Sequence, residues 1–510
     1  YTDDCNIYVR SERAGHRVMA GVRRFLEQRL RLKVNEQKSA VDRPWRRKFL
    51  GFSMYHGRDG VRLRVAQRQD RSKLTKHGCF RSRGAGHVLA TIDLFRRNPN
   101  IAKLVLAETI SYVGDSIFDI VILWEIYEQT RSTFGTAALM IGEVVAQLTL
   151  GPILGAVADR FDRKMIMQVS AIVQMLLTAL MALWSFWDDL PVWAIYVFSF
   201  TLSVFQLAYS PARSAILPEI TDPNILLRVN ALCNSLGQVA SVVGASIGGI
   251  LAVEVGNALA IAVDSATFAA AAFLIGQMQY QSLRISSEMA TEGSKKPGKL
   301  ALLSYLLRDM RKSLGFLLGN VIILHIIVLG TVSNIALAPI NVLVPMLMAD
   351  SFGGDARHLG FFESGVGLGM FLAGSSMSMV KLTRIGVVFA MGFCIQAVAL
   401  GLIALASVAW LAVFGGMLLG VGFVATIVPF GTLVQTLVPV EMVGRVRAIS
   451  STLSSAIIPI SYFCFAVLGD MVGPKLPLLM GAVLMASCGA IALCAHTIRA
   501  VSLDHNVLGL

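Results

Sequence analysis

The chain has 510 residues, 55% of them hydrophobic and only 15% charged, with a mean hydropathy of +0.65. A water-soluble protein carries about 25% charged residues, so a large soluble globular enzyme is excluded. The net charge of +13 is unevenly placed: residues 1–100 hold 24 Lys/Arg against 9 Asp/Glu, whereas residues 101–510 hold 21 against 23. An inference of nucleic-acid binding from basicity therefore applies to the first hundred residues alone.

Those first residues are polar and basic, and the character of the chain changes near residue 95. They open with YTDDCNIYVRSERAG and continue through VNEQKSAVDRPWRRKFLGFS. Residues 1–75 resemble the palm-domain end of a group II intron reverse transcriptase of the maturase type. The resemblance implies a small basic α+β piece in which Asp3 and Asp4 hold Mg²⁺ on a hairpin turn, the hard-oxygen ligation that this cation requires. The further metal-binding Asp and the fingers that the family needs are missing, and the chain begins with Tyr1 rather than Met. The segment reads as an inactive remnant fused by rearrangement or frame error, with no functional nucleic-acid partner. Residues 76–100 read as a linker.

From Ile101 to Ile498, apolar runs of around 20 residues follow one another with short polar breaks. Each is long enough to cross ~30 Å of hydrocarbon. The pattern predicts an all-α polytopic membrane protein with about twelve helices, over residues 101–124, 135–158, 164–187, 191–211, 228–253, 257–278, 320–348, 358–381, 385–406, 408–434, 444–469 and 475–497. The longest break, 279–313, separates two six-helix halves, 101–278 and 314–498, and residues 499–510 form a tail. One set of turns carries nearly all Lys/Arg, including Arg160, Arg163, Lys164, Arg213, Arg228, Arg384, Arg445 and Arg447. The other carries Arg131, Arg357 and Lys475. The positive-inside rule makes the first side cytoplasmic, together with both termini.

An internal repeat supports the two halves. Gly142 and Gly151 in the second helix recur as Gly365 and Gly374 in the eighth. Pro211, Pro218 and Arg228 recur in the same order as Pro429, Pro439 and Arg445. The seven cysteines form no CxxC pair, and no His/Cys/carboxylate cluster has metal-ligand spacing. There is no GxxxxGK[ST] phosphate loop, so an ATP-driven pump is unsupported.

Between the second and third apolar runs stands GPILGAVADRFDRK (151–164). It resembles the cytoplasmic loop motif of the major facilitator superfamily (MFS) of secondary transporters, and the likeness extends over nearly all of residues 95–498. PARSAILPEI (211–220) followed by RVNAL (228–232) resembles the branch that includes macrolide-efflux-type permeases and enterobactin exporters. The resemblance implies alternating access of two halves around a central site, driven by an ion gradient. Gly151 and Gly155 would let helices approach closely. Asp159 would cap another helix, the eleventh near Val443–Arg445, where an anion is favourable. Arg160, Arg163 and Lys164 would link the halves in one state and release them in the other. A purely topogenic basic loop would need neither the glycines nor Asp159. The fifth helix, GQVASVVGASIGG (237–249), resembles the MFS antiporter glycine motif through Gly244, Gly248 and Gly249, with Ala245 in place of the motif's proline.

Acidic residues inside apolar runs face a cavity or a partner, because a bare charge at mid-bilayer is costly. Glu108, Tyr112, Asp115 and Asp119 share one face of the first helix. Glu143, Asp264 and Glu363 lie in the second, sixth and eighth. Asp115, with Asp119, is the candidate for coupling export to proton entry, and Glu143 and Asp264 are further cavity candidates. Packing against Asn334 or Asn341 would be the structural alternative for Asp115. The reading is a bacterial cytoplasmic-membrane MFS exporter of amphipathic small molecules such as drugs or siderophores. It is expected to be monomeric, embedded in the lipid bilayer, without catalytic residues or metal, and to need a proton gradient rather than a cofactor. The alternatives are an RNA-directed DNA polymerase fragment and a non-functional fusion product.

Overall fold

The computed structural model describes strand residues 48–49, 52–57 and 60–65 and residues 94–96, 98–223, 225–280, 319–379 and 384–495, besides a few isolated positions. The chain divides into two units, Tyr1–Val88 and Leu89–Leu510. In the first, β1 (Lys48–Phe49), β2 (Phe52–Gly57) and β3 (Gly60–Val65) form an antiparallel meander in the order β1-β2-β3. Gly57 pairs with Gly60 at the end of the β2–β3 ladder. Asp3 and Asp4 lie outside the described residues.

The second unit is helical. Its long rods are α1 (Pro99–Thr130), α2 (Thr133–Arg160), α3 (Arg163–Trp187), α4 (Val192–Ile220), α5 (Leu226–Glu254) and α6 (Asn257–Gly276) in one half. The other half has α7 (Val321–Ser351), α8 (Ala356–Met379), α9 (Ile385–Leu405), α10 (Ala409–Leu437), α11 (Val440–Val472) and α12 (Lys475–Cys494). Local signals set the ends. Pro99 starts α1, where its missing N–H costs nothing. Ser132, Asp162 and Asn320 each accept a backbone N–H at the starts of α2, α3 and α7, which satisfies donors that a helix start leaves orphaned. Gly256, Gly353 and Gly473 take positive φ just past α5, α7 and α11, a conformation that glycine adopts without strain.

Ten of these helices are long and apolar enough to cross a membrane. The other two are α1 and α8. The reason in α1 is its carboxylates at 108, 115, 119 and 125; in α8 it is Glu363 amid many Gly and Ser. Both lie within the bundle, α1 against α5 and α6, and α8 against α5 and α10. Large apolar side chains cover much of the outside, with Leu227 83%, Trp187 82% and Met471 75% exposed. That surface is stable only against lipid.

Three sequence expectations are corrected. Helix α4 runs through Pro211 and Pro218 to Ile220 rather than ending at 211, because neighbouring helices in a bundle support a proline-interrupted backbone. Arg213 is consequently inside a helix and not in a basic turn. The seventh run is not continuous: it breaks between Leu337 and Ile340 at Pro339, then ends in a π-turn, Leu347–Ser351, after Pro345. Proline removes the N–H that would continue the ladder. The linker expected at 279–313 lies outside the described residues beyond Tyr280.

The halves are pseudo-equivalent. α2 packs on α4 as α8 packs on α10, and the joints between halves are α2 with α11 and α8 with α5. Gly142 faces Phe200 of α4 and Gly365 faces Val413 of α10, whereas Gly151 and Gly374 both face open space. The matched glycines thus face corresponding helices, but the contact is tight only at Gly365, where a Cβ would lie 2.9 Å from Val413 O.

Candidate functional site

The carboxylates of α1 part company in the fold. Glu108 is buried and forms a two-pronged ion pair with Arg213 of α4, Nε to Oε1 at 2.6 Å and Nη2 to Oε2 at 3.0 Å. This pair lies on a polar cavity of about 100 Å³ inside the first half, which Tyr112, Asp115, Gln174 and Tyr209 also line. One turn further on, Asp119 is surrounded by the bundle yet has an open surface. Its charge reaches Asp115 on its own helix, Glu143 of α2, Asp264 of α6 and Glu363 of α8.

Among the described residues, Asp115, Asp119, Glu143 and Glu363 have no hydrogen-bond or ion-pair partner. Asp264 accepts from Thr267 Oγ1 at 3.3 Å and sits against Gly114, where any side chain would collide with it. Neither asparagine proposed as a partner for Asp115 serves it. Asn334 bonds Gly330 O in its own helix, and Asn341 lies beside Tyr462 of α11. The carboxylates placed separately by sequence are thus brought to one region where the halves meet. Glu363, weighed lightly on sequence, belongs to it.

In this conformation the cations of the loop at 151–164 are engaged within the first half. Asp162 caps α3. Arg163 pairs with Glu219 of α4, which Tyr280 also contacts. Lys164 Nζ donates to the carbonyls of Gly276 and Met278 at 2.8 and 2.7 Å. These two cations clamp α3 to the ends of α4 and α6 within the first half and do not span the halves. Arg160 is exposed and ends α2. Gly151 and Gly155 have no atom within 4 Å of a would-be Cβ. Asp159 lies in the last turn of α2, and its side chain is outside the described residues.

The glycine motif of α5 serves two neighbours. Cβ atoms at Gly244 and Gly248 would meet Val113 O at 2.5 Å and Ile117 Cα at 2.8 Å on α1, and one at Gly249 would meet Ala356 O at 2.5 Å on α8. Across the same joint Gly360 abuts Ala245 O, Ser246 and Ser364 share a hydrogen bond at 2.6 Å, and Arg357 Nη1 reaches Glu254 at 2.9 Å. Partial burial pushes the Asp355 carboxyl up, but the Arg357 guanidinium bonded to it, with its charge, outweighs this and holds it below the usual carboxylate range. That contact is therefore kept above the ordinary carboxylate titration and is lost only as pH falls through the depressed value. Tyr127 Oη donates to Asp350 at 2.9 Å, joining α1 to α7. Together with α2 and α11, these contacts join the halves toward the end opposite the basic turns. This joint was not anticipated from sequence.

Residues 104–462 match the Major Facilitator Superfamily profile. Among curated proteins, the chain is 22% identical over 392 residues to macrolide efflux protein A of Streptococcus pyogenes, covering 72% of the chain and 88% of that protein. It is 24% identical over 408 residues to the uncharacterized MFS-type transporter YfiS of Bacillus subtilis, covering 78% and 94%. Among solved structures, the nucleoside transporter NupG superposes with TM-score 0.59 at 11% identity, over 78% of this chain and 99% of that one. A peptide transporter POT gives 0.61 at 10% identity, over 79% and 95%.

Proposed function

The chain belongs to the Major Facilitator Superfamily, and we propose that it is a proton-coupled exporter of amphipathic, positively charged small molecules working by alternating access. One observation carries this reading: Asp115, Asp119, Glu143 and Glu363 converge from three helices without a cationic partner among the described residues. Such a group is neutralised either by protons or by a cationic substrate, and competition between the two is what an exchanger requires. Asp115 with Asp119 carries the proton, while Glu143, Asp264 and Glu363 shape the substrate side. In this reading all twelve helices cross a bacterial cytoplasmic membrane, both termini are cytoplasmic, and the protein acts as a monomer. The likeness to macrolide efflux proteins supports export and a drug-like substrate.

Replacing Asp115 by Asn removes the exchangeable proton and keeps the shape. Export against a gradient should fall about 5- to 150-fold, the range of a site-to-site coupling of 1–3 kcal/mol, and its pH dependence should flatten. Drug accumulation assays in an efflux-deficient host, with and without a protonophore, measure both; unchanged export with unchanged pH dependence would sink the assignment. The inner loop motif carries a second expectation. Asp159→Ala should lower export while membrane abundance holds, and normal export by that variant would remove Asp159 from the gate.

A further inference from the structure

The outer end of α11 carries a carboxylate whose position its own helix does not explain. Asp470 stands in the last turn of α11, the negative pole of the helix dipole, where an anion is disfavoured. It is instead spent on the other half. Its oxygens accept from Ser132 Oγ at 2.5 Å, Thr133 N at 2.6 Å, Thr133 Oγ1 at 2.7 Å and Phe134 N at 3.3 Å. Asp470 thus caps the start of α2 from across the joint, in addition to the local cap by Ser132. Charge-assisted bonds to the donors of a helix start are among the stronger ones in proteins. The approach depends on Gly469, where a Cβ would lie 2.9 Å from Thr133 Oγ1 and 2.7 Å from Leu343 Cδ2. Thr133 Oγ1 is also 2.7 Å from Ala466 O, and Ala137, Tyr462 and Ala466 pack beneath.

We propose that Asp470 is the outer latch of the transport cycle. Its contact with the start of α2 holds the outer face closed, and breaking it is a step in opening. The inference rests on the alternating-access reading above. α2 and α11 run antiparallel at this joint, and each carries an aspartate near its C-terminal end: Asp159 in α2, Asp470 in α11. Each aspartate is unfavourable on its own helix and favourable at the start of the other. This gives α2 and α11 two ends at which a carboxylate can engage the partner's N-terminus, and the outer one is made in this structure. A bistable contact of this kind biases a two-state equilibrium without touching substrate.

Hydrogen–deuterium exchange on the purified full chain, without substrate or gradient, tests the proposal. Losing a helix cap shifts an equilibrium about 5- to 30-fold. Asp470→Ala should therefore raise exchange both at residues 132–136 and at the distant α5–α8 joint, residues 242–254 and 356–364. Asp470→Asn, which keeps shape and loses charge, should do the same to a lesser degree and serves if the alanine variant does not fold. Faster exchange confined to the first turn of α2, with the α5–α8 joint as in the parent, would reduce Asp470 to a local cap and overturn the proposal. Loosening of the joint with drug export unchanged would keep the latch and count against the export reading.

Discussion

Gly360→Val should disfavour closure of the outer face by about tenfold or more. Gly360 lies against Ala245 O, and an added Cβ would also meet Gly249 Cα at 3.1 Å. Both neighbours are backbone, so neither can swing aside as a side chain would. Overpacking of a tight contact costs about 1–3 kcal/mol, and every 1.4 kcal/mol is tenfold in an equilibrium. The closed population should fall about tenfold or more, with export reduced in proportion. Exchange of the α5 and α8 amides reads the first effect and drug accumulation the second. Gly374→Ala is the control, since the same helix leaves open space there and alanine favours the helix by roughly 1 kcal/mol. If the two variants behave alike, the joint is not a closure surface.

Arg213→Ala should be the most destabilising single change in the first half. It would leave Glu108, 4% exposed, as an uncompensated buried charge, which costs about 3–5 kcal/mol. Replacing both partners by apolar residues, Glu108→Leu with Arg213→Met, should recover most of that loss, because the cost comes from the orphaned charge rather than from the missing attraction. Thermal unfolding in detergent separates the cases. A double variant no more stable than Arg213→Ala would mean that the pair is needed for packing in its own right.

The succession of long apolar helices was legible because apolar runs of membrane length are a property of the chain alone. The convergence of Asp115, Asp119, Glu143 and Glu363 was partly legible, since carboxylates in apolar runs announce a cavity or a partner. Which of the two applies depends on packing: Glu108 found Arg213, and Asp119 found open space. Arg213 itself was misplaced because a count of basic residues in turns treats a proline as a helix end, and α4 continues past Pro211. Asp470 was passed over because its partner is 337 residues away at Thr133. A signal existed nonetheless. An aspartate beside a glycine in the last turn of a helix contradicts its local electrostatics, and such contradictions tend to mark function.

The central claim is exchange of a cationic amphiphile for protons. Its most direct test is uptake into inside-out vesicles containing the full chain, with an imposed pH gradient acid inside, using a labelled macrolide and a cationic dye as probes. The account predicts gradient-driven accumulation that a protonophore collapses and that Asp115→Asn lacks. Accumulation that is the same with and without the gradient, or the same in Asp115→Asn as in the parent, would contradict it.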